Sequence, residues 1–483
     1  MGKPKLTLEQ VMARYPFPFE LKETQKEDIQ ILFDYGRALG DLPVGYGKTS
    51  IGTAVALMRQ PDVTVILVPP VLVPDWVFWL NSIPNIGKVV AWDGSPAARE
   101  KLDPLSDFLV MSYGVFRKDA DRLRKALRGR DVMTIVDEAQ NIKSVKSMLF
   151  AEVKLLSDGQ EGLLLMSGTL LSSPDDAYAY CKLTNPSAYT SYQQFRNIHV
   201  KEIDFFHRVK EWQELDLMQK NLHWRRVRRI KEEIHAHLIK PLVIPVFYDM
   251  HKDHMKLYKR LMDEQLVELE NGGKIDATTA QKLYHASQQI ITNWGAYAGD
   301  ETKVSAVFDL VDQVCEQLNL GQPPVPGQDD SPMQEKVVFW TLYKQTSRTV
   351  LAHLQGRLKP LGKKAIGAWS EQDSRKAVQA FCHDPDTVAM AAQPGSVGFG
   401  FNPQYVCRAC GYIELPTRTI GFIQSSGRFY REGQKYQPLI WLFVARDTIQ
   451  EALLQQLQDN DDLVNRVSGT IQGIRNMIFP RGK

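Results

Sequence analysis

The N-terminal residues, MGKPKLTLEQ, lack the apolar stretch of a secretory signal. Leu6 stands where a myristoylation signal after Gly2 needs Ser or Thr. No apolar run is long enough to cross a bilayer, so a membrane is not among the expected partners. Cysteine is scarce and odd in number: Cys181, Cys315, Cys382, Cys407 and Cys410 show no disulfide-rich spacing, which fits a reducing cytoplasm. A dominant charge is lacking as well. The 59 Lys and Arg against 56 Asp and Glu leave a formal +3, so any nucleic-acid binding has to come from local basic stripes. Short-period repeats and long low-complexity tracts are absent, and the composition is that of an ordinary globular protein.

What is present is a rhythm. The 483 residues suffice for about two to four domains. Val63–Val68, Phe108–Met111, Val132–Val136 and Gly162–Met166 read as buried parallel strands, with amphipathic stretches such as Ala120–Arg128 between them. That alternation predicts an α/β lobe, a parallel sheet with helices on both faces. From position 190 to 295 the sequence is mostly helix-forming and polar, with few strand signals. Met255–Glu270 has helical spacing and is closed by Asn271-Gly272-Gly273. Gly321–Pro332 reads as a loop. Strand signals return at Lys336–Trp340, Val388–Ala391 and Leu439–Phe443, which predicts a second α/β lobe. The expected domains are 1–190, 191–300 as a helical insertion and inter-lobe segment, and 301–483.

Three segments carry chemistry. Leu42-Pro43-Val44-Gly45-Tyr46-Gly47-Lys48-Thr49 precedes a helix expected over Ser50–Met58. Glycines let backbone N–H groups approach phosphates, and a helix N-terminus adds favourable partial charge. Gly45, Gly47, Lys48, Thr49 and Ser50 are the expected phosphate-binding set, with Lys48 reaching the β/γ-phosphates and the Thr49 hydroxyl on Mg²⁺. Leu42 replaces the usual first glycine, and Gly45 supplies one two residues before Gly47 instead. A glycine turn before an ordinary helix, with a solvated lysine, is the alternative.

Asp137 and Glu138 follow a buried strand at its carboxyl end, where ligand sites of parallel sheets lie. One carboxylate can hold Mg²⁺ while the other polarises the attacking water. Far downstream, Gln424-x-x-Gly427-Arg428-x-x-Arg431 can place two arginines on one face of a helix against charge on a transferring phosphoryl group.

In order and spacing these residues resemble the superfamily-two helicase-like ATPases, and in detail the SWI/SNF-type branch. Leu21–Gln25 resembles that branch's opening motif, Val68–Trp76 its motif Ia, and Met111–Phe116 its motif Ic. Asp137–Ser144 is similar to the extended motif II, and Met166–Thr169 to motif III. Val227–Glu232 resembles the basic element between the lobes, Lys336–Phe339 motif IV, Ser396–Asn402 motif V, and Gln424–Arg431 motif VI. The match runs over roughly residues 20 to 455.

The resemblance implies two RecA-like lobes with helical insertions between them. It implies an ATP-dependent motor using ATP and Mg²⁺, with DNA, duplex or branched, as partner. It gives Gln25 an adenine contact, Asp137 the metal, Glu138 the role of catalytic base, and Gln424, Arg428 and Arg431 the completion of the catalytic site. Ser167 and Thr169 would couple hydrolysis to lobe movement, and Ser112, Tyr113 and Asn402 would line the polynucleotide groove. With no room for chromatin-reading modules, a compact bacterial or phage motor in the cytoplasm is expected. The chain departs from the pattern before the phosphate loop, where an acidic pair is usual near Leu42 and Pro43, and after motif III, at Leu170–Ser173.

Three further features are weighed against plainer readings. His223–Lys231 is the densest basic cluster, either a phosphate-contacting element or a solvated one balanced by Glu232 and Glu233. Cys407 and Cys410 suggest a zinc knuckle, but no second pair of ligands is near, so two ordinary thiols are expected. His251 and His254 are expected at the surface. A strand-separating helicase on DNA or RNA and a nucleotide-gated DNA-binding factor are the alternatives to a duplex translocase.

Overall fold

The computed structural model describes residues 3–43, 45–171, 173–203, 209–230, 238–264, 266–268, 274–276, 280–300, 302–322, 335–397, 401–416, 419–455 and 457. The body of the expected loop at Gly321–Pro332, the end of the basic cluster at Lys231, the centre of motif V at Gly398–Gly400, Val44 and Ser172 lie outside the described residues. The chain divides into two compact units between Ala236 and His237.

In the first unit the strands are β1 (Arg37–Asp41), β2 (Val63–Val68), β3 (Val89–Ala91), β4 (Phe108–Ser112), β5 (Val132–Asp137) and β6 (Gly162–Ser167). A two-stranded antiparallel ribbon, β7 (Val200–Ile203) with β8 (Val209–Trp212), follows, and then β9 (Arg226–Arg228). Seven of them form one sheet in the order β3-β4-β2-β5-β6-β1-β9, every pair parallel. The two faces of β2 feed two cores. Val63, Val65 and Leu67 pack with Phe116, Leu123, Phe150 and Val153, while Ile66 and Val68 pack with Ile29, Leu32, Ile51, Val55 and Trp76. A strand covered on both faces cannot alternate polar with apolar, which is why β2, β5 and β6 read as continuous hydrophobic runs. Truncating such a residue, for example Leu67→Ala, costs about 2–5 kcal/mol.

The second unit repeats the plan. Its strands are β10 (Leu242–Tyr248), a hairpin of β11 (Leu266–Glu268) with β12 (Lys274–Asp276), then β13 (Val337–Trp340), β14 (Lys364–Ala368), β15 (Thr387–Ala392), β16 (Ala409–Tyr412) and β17 (Leu439–Ala445). Six form a parallel sheet in the order β10-β17-β16-β13-β15-β14. Trp441 and Phe443 of β17 face a core with Val311, Val350 and Leu354; Ile440, Leu442 and Val444 face another with Phe381 and Phe422. The two parallel-sheet α/β lobes implied by the resemblance are therefore what the chain forms.

Two local expectations are corrected. The helix expected through Glu270 spans Lys252–Glu264, and the chain then makes the β11–β12 hairpin, its partners closing at Glu268 and Lys274. Asn271-Gly272-Gly273, expected to close that helix, lies outside the described residues. The stretch 190–295, read as poor in strands, supplies one strand to each sheet. β9 escaped notice because two of its three residues are arginines. β10 carries Pro245, which cannot donate to a ladder, and it lies at the sheet edge, where that omission is tolerated. No helix among the described residues is long and apolar enough to cross a membrane.

Candidate functional site

The loop after β1 turns through two glycines, Gly45 and Gly47, both at φ +85°. A Cβ on Gly47 would lie 2.6 Å from Gln25 Nε2, so a side chain there would strain the backbone and displace the Gln25 amide. The helix Lys48–Arg59 begins immediately after, one residue or two outside the expected bounds at each end. Buried Ser50 donates its hydroxyl to Gly47 O at 2.8 Å, tying helix to loop. Lys48 Nζ rests 3.5 Å from Leu42 O, and no hydrogen bond among the described residues uses the Thr49 hydroxyl. Gln25, on the helix Glu23–Tyr35, is buried; its Nε2 donates to Tyr46 O at 2.7 Å and its Oε1 accepts from Lys22 N at 2.8 Å.

Asp137 ends β5, in register with Met166 of β6, and Glu138 follows at φ 55°, ψ 53°. This left-handed conformation is uncommon for a residue with a side chain and is maintained by its surroundings. Asn141 donates to Glu138 O from both its backbone N (3.1 Å) and Nδ2 (2.9 Å), and the Tyr113 hydroxyl reaches the carbonyls of Asp137 and Glu138. Trp76 Nε1 donates to Asp137 Oδ2 at 3.0 Å and Glu138 N to Asp137 Oδ1 at 3.0 Å. Burial, then the neighbouring Glu138, pushes the Asp137 carboxyl up to about 6, against the opposing pull of Lys48 and the Trp76 bond.

A relay leaves this pair. Gln140 Nε2 donates to Glu138 Oε2 at 2.8 Å, Ser167 Oγ donates to Gln140 Oε1 at 2.6 Å, and Thr169 N donates to Ser167 Oγ at 3.0 Å. The structure thus brings Glu138, Ser167 and Thr169 into one chain of hydrogen bonds through Gln140, a residue the motif reading did not single out. Its signal was available: an amide two residues beyond an acidic pair at a strand end.

Ser112 caps the helix Tyr113–Ala126, its Oγ accepting from Val115 N at 3.3 Å, and the Tyr113 hydroxyl is engaged as described. The basic cluster is largely committed within its own unit. Arg226 and Arg228 of β9 both pair with Asp41 of β1, and Arg229 pairs with Asp28 and Glu27. Arg226–Arg228 is therefore a strand and not a helix, and its arginines, with Arg229 after it, pair with carboxylates.

In the second unit, Gln424 lies near the end of the helix Thr419–Ser426. The expectation that Arg428 and Arg431 share a helix face is corrected, because the helix stops before Gly427 and both arginines follow in a turn. They converge all the same. Arg428, buried, donates Nη1 to Phe401 O at 3.0 Å, and Arg431 donates Nη1 to Asn402 Oδ1 at 2.8 Å. Arg431 Nη2 is buried without a hydrogen-bond partner among the described residues, and burial lowers this guanidinium to about 10. A buried donor with no acceptor is costly.

Behind β13 and β16, fully buried Glu414 accepts from Thr292 Oγ1 (2.8 Å), Thr346 Oγ1 (2.6 Å) and Leu342 N (2.9 Å), and burial raises its carboxyl to about 7. His254, expected at the surface, is fully buried, stacked on Trp294 with Nε2 2.7 Å from Ile290 O, and burial lowers it to about 4. Helix amphipathicity, which puts Tyr258 and Leu261 inward with it, outweighs its polarity. Cys410 lies within β16 and Cys407 just before it, both buried, with the Cys407 thiol 3.1 Å from Lys336 O.

A family model described as the SNF2-related domain matches residues 22–293, more than half of the chain. The chain belongs to the SNF2-related family. Among relatives of this SNF2-related protein, an uncharacterised ATP-dependent helicase of Mycoplasma pneumoniae is 21% identical over 420 residues, covering 83% of this chain and 37% of the relative. The Chromodomain-helicase-DNA-binding protein 1-like of Danio rerio is 21% identical over 463 residues, covering 90% of this chain and 42% of that protein. The chain therefore spans about two fifths of the length of these curated relatives. Among solved structures, the Sulfolobus solfataricus SWI2/SNF2 ATPase core in complex with dsDNA is 17% identical, with a TM-score of 0.43 over 96% of this chain and 98% of that one.

Proposed function

We propose that this SNF2-related chain is a DNA-dependent ATPase that couples ATP hydrolysis to movement along double-stranded DNA, and so remodels branched DNA or protein–DNA complexes. The observation that carries the ATPase reading is the left-handed Glu138 beside buried Asp137, wired through Gln140 to Ser167 and Thr169. An acidic pair alone is common at strand ends. An acidic pair strained, buried, under the influence of Lys48 and linked to the next strand's loop is a device for sensing what happens to a nucleotide. The names of the relatives, helicases that are ATP-dependent or DNA-binding, support the same class.

In this proposal Gly45, Gly47, Lys48 and Ser50 cradle the triphosphate and Gln25 meets the adenine. Glu138 accepts the proton of the attacking water, its carboxylate oriented by Gln140. Thr49 and Asp137 would hold Mg²⁺. The fit is favourable: burial and the adjacent Glu138 hold the Asp137 carboxyl up at about 6 against the pull of Lys48, and a divalent cation would favour its charged form. Bound there, the metal would neutralise charge on the β- and γ-phosphate oxygens. Arg428 and Arg431, with Gln424 beside them, would meet the transferring phosphoryl group, and Arg431 has a buried donor to spend. Ser167 and Thr169 would report hydrolysis through the relay. Ser112, Tyr113 and Asn402 would border the DNA path, acting more through the backbone they hold than through free side chains. A cytoplasmic setting, in a bacterium or a phage-infected host, belongs to the same proposal.

The test is phosphate release from ATP with no polynucleotide, single-stranded DNA, duplex DNA, forked DNA and RNA, each at low and high salt. Stimulation by duplex or forked DNA that weakens as salt rises is the expected result. Stimulation by single strands or RNA alone would replace the translocase with a strand-separating helicase, and none at all would leave a nucleotide-gated binding factor. Normal turnover by Lys48→Ala or Glu138→Gln would sink the assignment.

A further inference from the structure

We infer that Tyr46, Asp28 and Arg229 form a latch that pre-organises the phosphate loop, with Arg229 a positioning residue that acts on nucleotide affinity through the other two. This rests on the proposal that Gly45, Gly47, Lys48, Thr49 and Ser50 bind ATP.

Tyr46 is the one residue between the two positive-φ glycines of the loop. Glycines on both sides give it unusual backbone freedom, so an unanchored loop would lose much entropy on closing around phosphates. Here Tyr46 is held from both ends by one helix. Its carbonyl accepts from Gln25 Nε2 at 2.7 Å, and its hydroxyl donates to Asp28 Oδ2 at 2.8 Å. Gln25 and Asp28 are three residues apart on the helix Glu23–Tyr35 and therefore share a face. Tyr46 itself is 2% exposed, so its hydroxyl has no recourse to water.

Asp28 is wholly buried and cannot serve as an anchor without a cation. Arg229 supplies it, donating Nε to Oδ1 (2.9 Å) and Oδ2 (3.1 Å), with Nη2 2.8 Å from Oδ1. A simple staple between β9's end and this helix would have been served by the exposed Arg229–Glu27 pair at 3.1 Å. Burying a second carboxylate and capping it with the loop's own tyrosine adds a connection to the phosphate cradle that stapling does not need.

The latch holds the loop and touches no reacting atom, so its loss should appear in ATP affinity and spare the chemical step. The experiment is equilibrium binding of mant-ATP with Mg²⁺ to the full chain, together with steady-state phosphate release and thermal melting. Tyr46→Phe removes only the hydroxyl. It should weaken mant-ATP binding and raise KM for ATP about tenfold, with kcat within about twofold. Its melting temperature should stay near that of the wild type. Arg229→Lys, which leaves both buried side chains in place, should act in the same direction and serves if Tyr46→Phe fails to fold. Combining Tyr46→Phe with Arg229→Lys should weaken binding by less than the product of the single effects, because both cut one chain of bonds. A wild-type protein that binds mant-ATP and a Tyr46→Phe protein that binds it equally well would overturn the latch alone. A wild-type protein that binds none would overturn the nucleotide site with it.

Discussion

Gln140 donates its amide to Glu138 Oε2 at 2.8 Å while accepting the Ser167 hydroxyl at 2.6 Å, so Glu138 and the end of the neighbouring strand β6 share one side chain. Gln140→Leu keeps the volume and cuts both bonds. ATP binding should persist, and the ratio of DNA-stimulated to unstimulated phosphate release should fall about tenfold or more. An unchanged ratio would mean that the relay is structural only.

Gly47→Ala should be severe for a different reason. The residue sits at φ +85° and the new methyl would meet Gln25 Nε2 at 2.6 Å. The left-handed backbone costs an alanine about 1–2 kcal/mol, a modest loss of stability in a melting experiment. Displacing Gln25 and the cradle together should remove detectable mant-ATP binding. Binding retained within a few-fold would show that the loop reshapes freely.

Arg431→Lys tests the turn in the second unit. Lysine keeps the charge and loses the fork that reaches Asn402 and leaves Nη2 to spare. Turnover should drop by about a thousandfold while mant-ATP binding changes little. Equal loss of binding and turnover would assign Arg431 to ground-state contacts instead.

Glu414 gives the second unit a pH dependence. Its carboxyl is raised from 4.5 to about 7 in the folded chain, so the folded state holds the proton more tightly than the unfolded one. Its contribution to stability is fully present below pH 4.5 and is lost as pH rises through about 7, on the order of 3 kcal/mol across that window. Asp137, raised to about 6, acts in the same direction, and His254, lowered to about 4, in the opposite one. Comparing wild type with Glu414→Gln isolates the residue: the variant should gain stability relative to wild type as pH rises from about 5 to about 8. Parallel melting curves over that range would exclude Glu414 as the titrating group.

The long strands β2, β5, β6 and β17 were legible in the sequence because burial on both faces demands unbroken apolar runs. So were the glycine-rich loop before the helix Lys48–Arg59 and the acidic pair after β5, since glycines before a helix and carboxylates after a strand are local patterns. Short strands were not. β1, β9 and β16 carry arginine, aspartate, glycine or alanine and are strands only because longer neighbours offer them a ladder.

Sequence alone determined the α/β class, the family and the places where the glycine-rich loop and the acidic pair stand, because each depends on residues a few positions apart. Only the tertiary structure decided what those residues hold. Asp28 and Arg229 are 201 positions apart, as far in sequence as they are close in space. Arg428 and Arg431 meet Phe401 and Asn402 from a turn and not from a helix. Buried charges must find partners wherever the fold brings them, and spacing along the chain carries no record of that choice.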